Sequence, residues 1–349
     1  MKDKILNIII GCDTDPDRPG FLHDVTEPGK SWRGVEQGIP SLKELLSGVK
    51  DIVDETPKIT WLLRVDEQTK SIYGDYGWVL TNFRTLWEQL ESDGDELGWH
   101  PHFYKFDSNR GRWYQEALDE VWQIGMLENA YEAYSMALPG RAKSVRMGWD
   151  YHNNATMRKL CELGVKVDFS ALPGLKTRPP NEPTDSLNIY DWYISPRRPY
   201  FPSEADYRRE PCDPEKALGI LELPITTSSS LSWGVLGGLQ MARKMRNAAL
   251  FFQAFQRPSY VVNLTGKPSY FAPLIAEIRR MFKGPYGDEY YFATYFHADE
   301  LVENRSDIYR LRNILLNLLS IKRLCEQVGV GLKFIQASES TRIYSPQRN

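Results

Sequence analysis

The chain has 349 residues and a formal net charge of −3, with 42% hydrophobic and 26% charged residues. This composition is typical of a globular protein, and the charge excludes the basic surface that nucleic-acid binding requires. The four cysteines are scattered without a CxxC pair, so neither a disulfide framework nor a thiolate zinc site is predicted. No segment has the length and apolar content of a membrane span, and the apolar run near the start is interpreted as a strand rather than a signal peptide. We therefore expect a cytoplasmic protein.

Strand patterns alternate with helix patterns along most of the chain. The predicted strands are 5–10, 58–63, 95–99, 143–145, 165–169, 219–225, 259–264, 290–296 and 331–335. The predicted helices are 40–53 (capped by Ser41), 79–92, 114–137, 155–163, 238–253, 269–282 and 306–328. This alternation indicates a parallel sheet.

The first predicted strand runs into GCDTDPD rather than a glycine-rich phosphate loop. That favours a barrel over a nucleotide-binding open sheet. We expect an α/β fold, a distorted (β/α) barrel of about seven to eight parallel strands. It would be a single domain over 1–349, with long loops at the C-terminal face of the barrel and a long irregular insertion at 173–214.

The rarest chemistry in the chain lies in the stretch ELGWHPHFY at 96–104. Only five histidines occur in 349 residues, and two of them, His100 and His102, flank Pro101. In an extended segment, side chains at i and i+2 point to the same side, and proline favours extended geometry in the residue before it. Two such imidazoles suit a divalent cation that prefers nitrogen ligands. A pair of surface histidines in a loop is the alternative.

Other polar residues also follow predicted strands. Asp13 and Asp15 follow the first strand, Arg146 follows a short one and His297 follows a late one. Because catalytic residues of (β/α) barrels lie at the C-terminal ends of strands, we expect these side chains to meet at one face. One carboxylate and two imidazoles would leave coordination positions open for water and substrate. Alternatively, the aspartates are turn residues, Arg146 is a structural ion-pair partner and His297 belongs to a loop.

This set of residues resembles the polysaccharide deacetylases of carbohydrate esterase family 4, the NodB homology domain, over roughly residues 5–337. DTD at 13–15 resembles the first motif, and EQLESDGDELGWHPHFY is similar to the helix–Gly–strand–His passage. Arg146 is similar to the arginine of the third motif, and FHADEL at 296–301 resembles the last motif.

The sequence departs from the family pattern at three places. Thr14 separates the two aspartates that are usually adjacent, which leaves open which of them binds the metal. Tyr104 stands where the family usually has its second histidine, so His102 must serve instead, or a water or another residue completes the site. MGW replaces the usual Pro-Tyr after Arg146. The shortened H-x-H form resembles subfamilies of lipopolysaccharide and surface-polysaccharide biosynthesis.

The resemblance implies a hydrolase that removes an N-acetyl, or alternatively an O-acetyl, group from a sugar or polysaccharide precursor. It implies a divalent metal, zinc first and iron, cobalt, nickel or manganese as alternatives, held by Asp15, His100 and His102. Asp13 would be the general base, His297 the general acid, and Arg146 would orient Asp13. The candidates for substrate contact are Trp99, Tyr104, Trp149, His152 and Arg64.

Two competing interpretations stay open. A metal-independent glycoside hydrolase would use carboxylates such as Asp13, Asp15 and Glu222, but leaves H-P-H and His297 without a role. A non-catalytic sugar-recognition protein on a deacetylase scaffold is the second. A carbohydrate partner is expected in each case, and the sequence specifies neither the sugar nor the oligomeric state.

Overall fold

A computed structural model describes residues 4–17, 31–49, 55–138, 140–177, 189–229, 259–284, 288–302 and 308–344. In chain order, the strands among these residues are β1 (Ile5–Thr14), β2 (Thr60–Leu63), β3 (Glu96–Trp99), β4 (Tyr104–Asp107), β5 (Arg112–Gln115), β6 (Ser144–Val145), β7 (Val167–Asp168), β8 (Leu221–Glu222), β9 (Ser228–Ser229), β10 (Ser259–Tyr260), β11 (Glu289–His297) and β12 (Gly331–Phe334).

Eight of these strands form one parallel sheet. Its order is β11-β1-β2-β3-β6-β7-β8, and β12 pairs with the first half of β1. The sheet curls into a partial barrel, which confirms the predicted distorted (β/α) architecture. β1 lies between β11 on one side and β2 and β12 on the other, and its isoleucines at positions 8, 9 and 10 are buried in the main core.

The register of β1 against its neighbours positions the functional residues. Asp13 pairs with His297 of β11 as direct Cα partners. On the other side of β1, Thr14 pairs with Leu63, the last residue of β2. Because paired residues of a parallel ladder lie side by side, the C-terminal ends of these strands bring distant parts of the sequence together.

Two segments outside the ladders donate hydrogen bonds to the edge strand β11, one just after β8 and one just after β10. Thr226 N–H donates to the Ala293 carbonyl at 2.8 Å, and Leu264 N–H donates to the Tyr295 carbonyl at 2.9 Å. Within the described residues these contacts do not extend into a ladder. The expected strand at 259–264 is largely wrong, since only Ser259–Tyr260 is extended and it pairs with β9 outside the main sheet.

The helices follow the predicted order with shifted boundaries. They are α1 (Ile39–Ser47), preceded by a π-helical turn (Gly34–Gly38), α2 (Glu67–Tyr73), α3 (Trp78–Asn82), α4 (Arg84–Ser92), α5 (Glu120–Ala137), α6 (Asn154–Leu163), α7 (Pro268–Met281), α8 (Leu311–Val328) and α9 (Ser340–Tyr344). The predicted helix 238–253 lies outside the described residues.

Two helix predictions are wrong in detail. Helix 79–92 is divided at Phe83, whose φ of −112° and ψ of 24° are not helical. Phe83 packs against Trp32, Trp78 and Trp87, and this aromatic contact outweighs the continuous helical pattern. Ser41 lies inside α1, which begins at Ile39, and does not cap it.

An antiparallel hairpin of β4 and β5 follows the histidine pair. The predicted helix 114–137 therefore begins only at Glu120. The Asp107 carboxylate accepts hydrogen bonds from the N–H groups of Asn109 and Arg110, and Gly111 supplies the positive φ (63°) of the turn. The hairpin places Tyr104 immediately beside His102.

The described parts of 173–214, namely 173–177 and 189–214, form isolated bridges rather than ladders, and a short 3₁₀ turn begins at Pro214. Trp192, Tyr200 and Tyr207 are nevertheless buried, at 0%, 2% and 8% exposure. This segment therefore covers part of the barrel with aromatic side chains.

Candidate metal and acid–base site

Asp15, His100 and His102 meet at the C-terminal end of the sheet. His100 Nε2 lies 3.0 Å from His102 Nε2 and 3.8 Å from Asp15 Oδ2, and His102 Nε2 lies 3.5 Å from Asp15 Oδ1. One ligand atom from each residue lies within 4.8 Å of the others, and all three residues are buried. The structure thus brings together the three residues that the sequence nominated as metal ligands.

Backbone contacts orient the two imidazoles. His100 Nδ1 lies 2.6 Å from the Arg146 carbonyl, an acceptor that places the ring proton on Nδ1 and leaves the Nε2 lone pair available. The His102 ring stacks on Tyr104, with a centroid distance of 5.1 Å and an interplanar angle of 14°. On another side, the backbone of Gly148 approaches so closely that an added Cβ would lie 2.1 Å from His102 Cγ.

Arg64 holds Asp15. Its Nη1 donates to Asp15 Oδ1 at 2.5 Å, and its Nε donates to Asp66 Oδ2 at 2.5 Å. Asp66 also accepts the backbone N–H of His102 at 3.1 Å. Arg64 is 2% exposed, so it supports the carboxylate rather than contacting a substrate, contrary to the expectation from sequence.

Asp13 lies in a separate set of contacts. The Arg146 Nη1 donates to its Oδ2, which lies 3.8 Å from His100 Nε2 and 3.5 Å from His297 Nε2. Its other oxygen, Oδ1, is buried without a hydrogen-bond partner among the described residues. A buried carboxylate oxygen of this kind needs a water, a proton or an ion as its partner.

Arg146 is held on three sides. Besides Asp13, its guanidinium donates to Asp150 Oδ1 at 2.5 Å and lies 3.9 Å from the centroid of the Tyr295 ring. Burial raises the pKa of Asp150 to about 6, although Arg146 opposes the rise. Trp149 and Asp150 have φ values of 55° and 56°, a left-handed conformation that costs about 1–2 kcal/mol per residue outside glycine.

His297 begins a short 3₁₀ turn, Ala298–Leu301, that closes on itself. Its Nδ1 lies 3.3 Å from Glu300 Oε1, and its backbone N–H donates to Glu300 Oε2 at 3.2 Å. Glu300 also accepts hydrogen bonds from Asn263 Nδ2 (2.8 Å) and Thr265 Oγ1 (2.6 Å). The His297 side chain remains 15% exposed, so the site opens towards solvent on this side.

The charges around the imidazoles favour a cation. Burial opposes protonation of His100, but Asp13 and Asp15 outweigh it and raise the pKa of that imidazole. Burial and Arg64 lower the pKa of His102 to about 3, which keeps it in the neutral form that binds metals. Burial would raise the pKa of Asp15, but Arg64 and His102 hold it well below its usual range.

The geometry fits a divalent metal. Tetrahedral ligands with metal–nitrogen bonds of about 2.0–2.1 Å lie about 3.3 Å apart, close to the separations of 3.0, 3.5 and 3.8 Å between these atoms. Two neutral imidazole nitrogens at 3.0 Å repel each other unless a proton or a cation lies between them. The donor set of two nitrogens and one carboxylate suits zinc and related transition metals.

The aromatic candidates for sugar contact differ in exposure. Trp99 is 0% exposed, packs against Tyr131 at 5.3 Å and donates its indole N–H to the Val65 carbonyl, so it offers no surface to a sugar. Tyr104 is also 0% exposed, behind His102. Trp149 is partly exposed, and its indole N–H donates to the Tyr104 hydroxyl.

His152, the remaining candidate for substrate contact, is 4% exposed. Its Nε2 lies 2.7 Å from Asp168 Oδ2, and its ring packs near Trp192. Asn153 rather than His152 caps α6, accepting the Thr156 N–H. His152 is therefore an interior residue of the described structure.

Sequence reasoning missed three residues that shape the site: Gly148, Asp150 and Glu300. Glu300 carried a signal, because it is an acidic residue just after a strand-end site residue. Gly148 and Asp150 carried none, since their importance comes from a close backbone approach and a left-handed φ that only the folded chain reveals.

Comparisons with known proteins bear on the fold. Neither a protein-family model nor a curated protein matches the sequence. The structure is similar to a candidate glycoside hydrolase/deacetylase from Parabacteroides distasonis, with a TM-score of 0.57 and 12% identity over 98% of this chain and 71% of that protein.

Two further solved structures match with lower scores. A candidate polysaccharide deacetylase from Mycobacterium smegmatis has a TM-score of 0.48 and 14% identity, covering 98% of this chain and 91% of that one. A GH57-type branching enzyme from Pyrococcus horikoshii has a TM-score of 0.47 and 11% identity, covering 100% and 71%. At these scores neither carries an argument.

The fold is that of a NodB-like deacetylase barrel. The Parabacteroides structure confirms, at the level of the fold, the resemblance that the motifs suggested. Identity this low says nothing further about activity, which depends on the residues of the site. Among the helices of the described residues, none has the length and apolar content that crossing a bilayer requires.

Proposed function

We propose that the chain is a metal-dependent hydrolase that removes an acetyl group, N-linked before O-linked, from a sugar. The observation that carries the proposal is the meeting of Asp15, His100 and His102 at ligand distances, directly beside Asp13 and His297. An ion-binding cluster next to an acid–base pair is what hydrolysis of an amide requires.

Asp15, His100 and His102 would hold the cation. When bound, a divalent ion polarises a carbonyl group and lowers the pKa of water. Zinc is the first candidate, with iron, cobalt, nickel and manganese as alternatives.

Asp13 would be the general base. Its Oδ2 is fixed by Arg146, while its Oδ1 has no hydrogen-bond partner among the described residues and is available to take a proton from water. Arg146 keeps Asp13 oriented. His297, partly exposed at the open side, would protonate the leaving amine. The 3.5 Å between His297 Nε2 and Asp13 Oδ2 would then let the proton return, which resets both groups.

Substrate and location are proposed on narrower grounds. The shortened H-x-H motif supports a role in lipopolysaccharide, O-antigen or other surface-glycan biosynthesis, and Trp149 is the partly exposed aromatic residue beside the site. A cytoplasmic location agrees with the scattered cysteines. The competing glycoside-hydrolase interpretation gains no support from Glu222, which is 0% exposed and lies beside Asp168.

Acetate release from N-acetylated sugars and nucleotide sugars tests the proposal, using protein purified without a His tag. Asp13→Asn and His297→Gln should each lower kcat by about 10²- to 10⁴-fold while bound metal is retained. His100→Ala should lose both metal and activity. Asp93→Asn, which removes a carboxylate at the end of α4, serves as the matched control and should leave kcat unchanged.

Full acetate release in the presence of a chelator, or from Asp13→Asn, would contradict this assignment. Release of reducing sugar without acetate would favour a glycoside hydrolase. Sugar binding without turnover, in protein reconstituted with each candidate metal, would favour a non-catalytic recognition protein.

A further inference from the structure

The segment 146–152, RMGWDYH, connects β6 to α6 and contacts three residues of the site: Asp13, His100 and His102. We call it the 146–152 loop. The Arg146 carbonyl accepts from His100, and the Arg146 guanidinium donates to Asp13. The Gly148 backbone lies against the His102 ring, and Gly148 N–H donates to the Pro101 carbonyl at 2.8 Å. A shift of this loop would move the base, its arginine and the face of one imidazole together.

The loop does not hold this shape by local preference. Trp149 and Asp150 both have a positive φ, which side chains other than glycine rarely adopt and which persists only when surrounding contacts enforce it. Trp192 supplies one such contact, since its indole N–H donates to the Asp150 carbonyl at 2.7 Å. A buried carboxylate supplies further contacts.

That carboxylate is Asp168, and it reaches both ends of the loop. Ser170 Oγ donates to Asp168 Oδ1 at 2.5 Å and accepts the Met147 N–H at 2.8 Å. The other oxygen, Asp168 Oδ2, lies 2.7 Å from His152 Nε2. Asp168 on β7 therefore contacts His152, the last residue of the loop, and reaches Met147, the second residue, through Ser170.

The surroundings make a purely stabilising role a poor explanation. Asp168 and Ser170 are 0% exposed, and Asp168 pairs in register with Glu222, a second fully buried carboxyl group on β8. Buried charged pairs often contribute no more to stability than apolar residues of similar volume. They do fix one geometry among several, and here the geometry that they fix is that of the 146–152 loop.

We propose that Asp168 and His152 are positioning residues that clamp the 146–152 loop, so that Arg146 stays against Asp13 and Gly148 stays against His102. They touch neither the substrate nor the ion. The proposal deepens the proposed deacetylase function and rests on it for its catalytic consequence, but the clamp itself is a property of the folded chain.

Asp168→Asn tests the clamp by two measurements. It keeps the size of the side chain but removes the charge that pairs with His152. Hydrogen–deuterium exchange should show the Met147 and Gly148 amides exchanging at least tenfold faster, with β1 unchanged. In steady-state kinetics, kcat should fall about 10- to 100-fold, and KM should stay within about twofold of the wild-type value. Misplaced catalytic groups reduce the stabilisation of the transition state more than they reduce the binding of substrate. Bound metal should stay at the wild-type level.

Two further variants complete the design. Glu96→Gln neutralises another buried carboxylate, at the start of β3 and away from the loop, and should change neither kcat nor exchange at 146–152. Ser170→Ala removes only the link between Asp168 and Met147, and should reproduce the faster exchange of the Met147 amide even if Asp168→Asn does not fold.

Unchanged exchange at Met147 and Gly148 in both Asp168→Asn and Ser170→Ala would overturn the proposal. So would a loss of kcat in Glu96→Gln as large as that in Asp168→Asn, because the effect would then come from any buried carboxylate. If the wild-type protein hydrolyses no acetylated sugar, the proposed function fails, while the exchange measurement still decides whether the clamp exists.

Discussion

Asp13 and Asp15 are two positions apart in sequence, yet they meet different partners. Both lie 3.8 Å from His100 Nε2, but Asp13 also contacts Arg146 and His297, whereas Asp15 contacts Arg64 and His102. Each aspartate thus has its own arginine, which holds that carboxylate in place. The sequence left open which of them binds the metal, and this division of partners favours Asp15.

Gly148→Ala should weaken metal binding without unfolding the protein. The new Cβ would lie 2.1 Å from His102 Cγ, and the opposite face of that ring is already stacked on Tyr104. Overpacking of this kind typically costs about 1–3 kcal/mol. We expect metal affinity, measured by competition with a chelator, to fall at least tenfold.

Gly125→Ala is the matched control for this substitution. Gly125 lies inside α5 with nothing within 4 Å of an added Cβ, so alanine should leave metal affinity unchanged and stabilise the helix slightly. Equal metal affinity in Gly148→Ala and Gly125→Ala would show that the Gly148 backbone does not position His102.

Single residues differ in how far sequence could predict them. His100 and His102 followed from their spacing around Pro101, because alternation in an extended segment is a local property. The close approach of Gly148 to His102 and the positive φ of Trp149 could not be predicted, since both depend on which parts of the chain lie nearby in the fold. Arg64 was identified as a strand-end residue but assigned to the substrate, because sequence alone gives no sign of burial.

At the scale of elements, the parallel strands were predicted far better than the connections between them. An apolar run such as Ile5–Ile10 shows a strand directly, and its end locates Asp13. The β4–β5 hairpin was not predicted, because the helical pattern assigned to 114–137 includes the last two residues of β5. Only the antiparallel ladder from Tyr104 to Gln115 reveals it.

Asp168 on β7 and Glu222 on β8 are neighbouring buried carboxyl groups. Burial and the Asp168 charge raise the pKa of Glu222 well above its usual range, whereas the unfolded chain releases the Glu222 proton near pH 4.3. Folding therefore binds a proton above that pH, and this term lowers stability as pH rises towards the pKa of the folded state. Glu222→Gln should remove that loss.

The melting temperature of Glu222→Gln, measured by differential scanning fluorimetry, should exceed the wild-type value by a few degrees at pH 8 and by less at pH 5. Glu215→Gln, at an exposed carboxyl, should show no such difference. A Glu222→Gln effect of equal size at both pH values would mean that Glu222 is ionised in the folded protein.

At the scale of the whole molecule, the sheet brings together site residues that are up to 284 positions apart, from Asp13 to His297. The ligand cluster joins the end of β1 to the segment after β3. An ion at this cluster would bind the folded chain and not the unfolded one, so binding and global stability must be coupled.

Metal should therefore raise the melting temperature in a concentration-dependent way. At a free metal concentration 100 times the dissociation constant, binding adds about 2.7 kcal/mol to the free energy of unfolding. His102→Ala is the informative variant, because His102 Nε2 lies 3.0 Å from His100 Nε2 and 3.5 Å from Asp15 Oδ1, so the substitution removes one of the three ligand atoms. Wild-type protein should melt at a lower temperature after EDTA treatment and recover with zinc, whereas His102→Ala should respond to neither. An equal zinc response in both proteins would place the ion elsewhere in the chain, and no response in the wild type would remove the metal from the proposed function.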